Sequence, residues 1–88
     1  MGEYHPYPVR TARSKGNRNI VGPRLRELRL AANPVITLED MAGKLAARGI
    51  QIDRSAIGRI ENGRRQVLDY ELKAFASALR VEAGDLLR

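Results

Sequence analysis

The sequence contains no cysteine and a single histidine. Without thiols there is no disulfide, no thiolate zinc site and no cysteine nucleophile. That usage fits a reducing compartment, and a cytoplasmic location is expected. The histidine, His5, stands between Tyr4 and Pro6 in a stretch without helical periodicity. No apolar run approaches the ~18 residues of a membrane-spanning helix, and no apolar segment of secretory type opens the chain. Met1-Gly2 is followed at position 6 by Pro6 rather than Ser or Thr, so the myristoylation pattern fails. Paired carboxylates placed for acid–base work, a glycine-rich phosphate loop and metal-ligand spacings are also missing. Glu39-Asp40 reads instead as a pair of first-turn charges favoured by a helix dipole. Neither an enzyme nor a cofactor nor a metal site is expected.

What the chain has is positive charge, unevenly spread. Sixteen Lys and Arg face ten Asp and Glu, a formal charge of +6 in 88 residues. A chain this short forms one domain with a modest core, and the excess suits a polyanionic partner. Residues 1–29 hold seven basic and two acidic side chains, and residues 54–65 hold four basic (Arg54, Arg59, Arg64, Arg65) and one acidic (Glu61). The remainder holds five basic and seven acidic. A merely solvated surface does not need that segregation.

Residues 1–19 carry two prolines, two glycines and no apolar period, and are expected to form an extended basic arm. Within it, Arg10, Arg13, Lys15 and Arg18 are candidates for tracking phosphates or entering a minor groove, and Tyr4 and Tyr7 for stacking or packing on the domain. Residues 20–88 read as five short helices and no strand, an all-α domain. The first helix is expected to start at Gly22-Pro23, proline being tolerated where the N–H has no partner anyway. It places Leu25, Leu28 and Ala32 on one face and stops at Asn33-Pro34. Thr37 caps the second, with Asp40 completing a capping box, an apolar stripe of Leu38, Met41, Ala42 and Leu45, and a left-handed stop at Gly49. Asp53 caps the third, which ends at Asn62-Gly63. The fourth begins at Asp69 and carries Leu72, Phe75, Ala76 and Leu79. A last short helix spans about 83–87, where Val81, Leu86 and Leu87 either close the core or form a dimer surface.

Two short helices joined by a turn, the second of them basic, are the layout of a helix-turn-helix. The third helix must then pack on one face and read base edges with the other. At ~100° per residue, Arg54, Gly58, Asn62, Ser55 and Arg59 fall within an arc of about 140°. Ile57 and Ile60 lie on the opposite side. Gly58 costs about 0.5–1 kcal/mol relative to alanine in mid-helix, which close approach either to a duplex or to a neighbouring helix would explain.

The segments RLRELR, TLEDMAGKL, DRSAIGRIENGRR and YELKAFASALRVEAGDLL, together Gly22 to Leu87, resemble the phage-repressor family (Cro/cI-like, also called XRE). The Ile60-Glu61-Asn62-Gly63 stop and the trailing LKAFASALRV are the most specific parts. The resemblance implies a five-helix lambda-repressor-like fold and a transcriptional regulator, expected to be a repressor, that binds double-stranded DNA as a homodimer. It implies base-edge contacts for Arg54, Ser55 and Arg59, and phosphate contacts for Thr37, Asn62, the Gly63 N–H, Arg64 and Arg65. It also implies that Glu61 pairs with Arg29 of the first helix as a structural clamp rather than acting chemically. Antitoxins share this fold, so a protein partner bound alongside a promoter is the alternative. Two departures from the family pattern stand out. Leu38 replaces the usual glutamine at the start of the second helix. The LAARGIQID stretch is also long, so either the second helix gains a turn or the turn becomes a loop anchored by Ile50 and Ile52.

Overall fold

A computed structural model describes residues 20–88 as five helices with no strand among them. They are α1 (Val21–Ala31), α2 (Leu38–Ala46), α3 (Arg54–Glu61), α4 (Asp69–Leu79) and α5 (Ala83–Leu86). The expected basic arm, with Arg10, Arg13, Lys15 and Arg18, lies outside the described residues.

Most boundaries follow from local chemistry. The Thr37 hydroxyl accepts from the Asp40 amide at 3.0 Å, and Asp40 accepts from the Thr37 amide at 3.2 Å, closing a capping box that starts α2. Asp53 starts α3 by accepting from the Ala56 amide at 2.8 Å. α1 begins at Val21, ahead of the expected start at Gly22-Pro23, so that Pro23 is its third residue rather than its first. Proline is still harmless there, because N–H groups of the first turn have no intrahelical acceptor.

Three helix ends share one hydrogen-bond pattern. After α2, Gly49 donates to Ala46 O and Ile50 to Leu45 O, both at 2.9 Å. After α3, Gly63 donates to Ile60 O at 3.0 Å and Arg64 to Arg59 O at 2.8 Å. After α4, Arg80 donates to Ser77 O at 3.1 Å and Val81 to Ala76 O at 3.0 Å. Each is a Schellman motif, which needs a left-handed residue at its turning point. Gly49 and Gly63 supply it with φ of 82° and 78°, whereas at the third the residue is Arg80, with φ of 62°.

The core is built from the apolar stripes of all five helices. Phe75, Leu25, Met41, Leu45, Ile57, Ile60 and Leu86 are fully buried. Each such side chain contributes on the order of 1.5–3 kcal/mol through burial. α3 packs against α1 and α2, and α5 against α4 and α1. Leu86 therefore closes the core, while Leu87 is exposed and Val81 half-buried. The long connection between α2 and α3 is an anchored loop, not an added helical turn. It runs from Ala47 to Asp53, turns at Gly49, buries Ile52 and half-buries Ile50.

Candidate nucleic-acid interface

α3 has two sides of different chemistry. Ile57, Ile60 and Glu61 are buried, whereas Arg54, Ser55, Arg59 and Asn62 are exposed. The cause is the spacing of the isoleucines, three apart, which turns one stripe of an eight-residue helix against α1 and α2. A Cβ built on Gly58 meets nothing within 4 Å. Close approach to a neighbouring helix therefore does not account for this glycine among the described residues.

The acid of α3 is turned inward. Glu61 accepts from Arg29 Nε at 2.7 Å and from Arg29 Nη2 at 2.9 Å, a two-pronged pair. Arg29 Nη1 donates further to Ile36 O at 2.8 Å. One guanidinium thus ties α1 to α3 and to the segment that leads into α2. The hydrogen bond to Glu61 holds Arg29 above the ordinary arginine pKa range, against the opposing effect of burial.

A second two-pronged pair joins Arg65 to α4. Arg65 reaches Glu71 at 3.1 Å and 3.2 Å through its two terminal nitrogens. Glu71 is buried and also accepts from the Leu68 amide at 3.0 Å, so it holds the start of α4. Arg65 also bonds Gln66 O at 3.2 Å. This arginine, expected from the sequence to contact phosphate, is thereby fastened to α4. A glutamate at the third position of a helix is a start signal, and in the sequence it was the available hint.

The other sequence-predicted residues fall as follows. Arg54, Arg59 and Arg64 are exposed, and among the described residues no hydrogen bond or ion pair holds their side chains. Thr37 is exposed at the start of α2, where its hydroxyl serves as the cap. Asn62 is exposed at the end of α3. The Gly63 N–H is engaged with Ile60 O, so a phosphate there would have to share it. Leu38, where the family pattern has glutamine, is half-buried against the core.

A stripe-packed α3, capped by Asp53 and preceded by a capped α2 and a loop, is the arrangement of a helix-turn-helix. The family described as a helix-turn-helix domain matches residues 20–88. The chain belongs to that family. The match covers all five helices of this helix-turn-helix domain and leaves out the N-terminal stretch. No curated protein and no solved structure matches the chain. Among the described residues no helix is long and apolar enough to cross a membrane.

Proposed function

We propose that this helix-turn-helix domain is a sequence-specific regulator that binds double-stranded DNA, acts as a repressor, and inserts α3 into the major groove. One observation carries the reading. The exposed side of α3 offers Arg54, Ser55, Arg59 and Asn62, while its carboxylate, Glu61, is buried in the pair with Arg29. A DNA-facing helix must present donors without a negative charge that would repel phosphate, and this inward pairing achieves it.

The roles then divide by chemistry. Arg54, Ser55 and Arg59 read base edges. A guanidinium fork on guanine O6 and N7 provides about 1–3 kcal/mol of discrimination. Arg64, Thr37 and Asn62 hold phosphates, which set register and affinity but carry no sequence information. The Gly63 amide adds to them as a shared donor, Arg65 contributes charge from its place beside Glu71, and the basic arm supplies further phosphate contacts. Two copies on half-sites about one DNA turn apart would supply the length of sequence that one small domain does not read alone.

Selection of bound duplexes from a random pool is expected to return a two-fold-symmetric sequence. With that sequence in hand, Arg59→Ala should lose discrimination at one base pair per half-site by about 1–3 kcal/mol. A uniform loss of affinity across all sequences would instead point to a non-specific binder and overturn the reading.

A further inference from the structure

The stop of α3 sets a reactive dipeptide in a hydrogen-bonded turn. Asn62 is exposed and is followed by Gly63, which lacks the side chain that normally shields a backbone nitrogen. In an Asn-Gly pair the glycine nitrogen, on losing its proton to base, can attack the asparagine side-chain carbonyl carbon. The N–Cγ bond forms, the Cγ–Nδ2 bond breaks and ammonia leaves, giving a five-membered imide. Water then opens either of the two imide C–N bonds, yielding aspartate or isoaspartate.

The fold opposes this step in two ways. Closing the ring requires the Gly63 nitrogen to eclipse Asn62 Cβ about the Cα–C bond. Asn62 has ψ of 2°, which instead eclipses the two backbone nitrogens. Substituents on a tetrahedral carbon sit a third of a turn apart, so the Gly63 nitrogen is that far from Cβ. The Gly63 N–H is also donated to Ile60 O at 3.0 Å, within the Schellman motif that fixes Gly63 at φ of 78°. Deprotonation and rotation therefore both require the motif to open.

We propose that Asn62 is a self-modification site whose deamidation is gated by opening of the α3 stop. The product gains a negative charge on the side of α3 that holds Arg54 and Arg59, and isoaspartate also lengthens the backbone within the motif. The chemistry stands independently of the DNA-binding reading. The other asparagines provide internal comparisons. Asn33 precedes Pro34, which has no N–H, and Asn17 and Asn19 precede the bulky Arg18 and Ile20.

The test is to age the full chain at mildly alkaline pH, folded in buffer and unfolded in concentrated urea. Peptide mapping then follows the one-dalton gain and isoaspartate at position 62. The expected result is conversion in urea that is faster by about tenfold or more, the factor being set by the free energy of local opening. In urea, Asn62→Gln should remove the signal. Equal rates folded and unfolded would overturn the gating, and no conversion in urea would overturn the reactivity.

Discussion

Removing the Glu61 carboxylate strands a buried cation. Arg29 would keep its charge and its bond to Ile36 O but lose both prongs of its pair. Breaking a buried pair from one side costs about 3–5 kcal/mol, so Glu61→Ala is expected to lower the urea midpoint sharply by circular dichroism. Loss of fold should precede any change in base preference. Asp40 makes a smaller, pH-dependent contribution. Its pKa is lowered chiefly by the hydrogen bond from the Thr37 amide, helped by the Thr37 hydroxyl and by Lys44. A carboxylate with a depressed folded-state pKa stabilises above its unfolded pKa and loses that effect as pH falls through the lowered value. The stability gap between the parent and Asp40→Asn should therefore be widest near neutral pH and close on acidification. A gap that stays constant with pH would contradict the assignment. At this scale the two arginine pairs differ in legibility. Arg29–Glu61 follows from matching the Ile-Glu-Asn-Gly motif to a known pattern. Arg65–Glu71 depends on how the loop from Asn62 to Leu68 closes, and an arginine two residues after a glycine stop reads equally well as a phosphate ligand.

Helices in this protein are defined by their ends more than by their interiors. α3 spans only eight residues and contains a glycine, so intrinsic propensity alone would not hold it. Because a Cβ on Gly58 meets nothing within 4 Å beyond its own stretch of helix among the described residues, Gly58→Ala is expected to stabilise the fold by about 0.5–1 kcal/mol. In a thermal melt that corresponds to a rise of several degrees, at roughly 4–8 °C per kcal/mol for a domain of this size. A lowered midpoint would show that Gly58 serves a packing role inside the domain. The stops after α2 and α3 were legible because glycine marks them. The stop after α4 was not, since nothing about Arg80 in the sequence signals a left-handed backbone. Only the packing of Val81 and the α5 turn against the core requires the chain to reverse there.

The whole molecule depends on its last turn. α5 has four residues, yet Leu86 is fully buried and α5 packs on both α4 and α1. Arg24 reinforces the closure by donating to Asp85 O at 2.8 Å. In a small domain one such side chain is a large share of the core. Leu86→Ala is expected to cost about 2–5 kcal/mol in chemical denaturation, whereas Leu87→Ala, at an exposed position, should change stability little. The positions of all five helices and the existence of a two-sided α3 were legible in the sequence, because capping residues and apolar spacing act over a few residues. The same local rules located Ile57 and Ile60 inside and Arg54, Ser55 and Arg59 outside. Tertiary structure decided what depends on contacts between distant segments. It turned the α2–α3 connection into a loop anchored by Ile52, placed Leu86 in the core, and bound Arg65 to Glu71. The physical reason is range: a helix stop is set by its own hydrogen bonds, but which charge is paired and which is left for a partner depends on where the other helices come to rest.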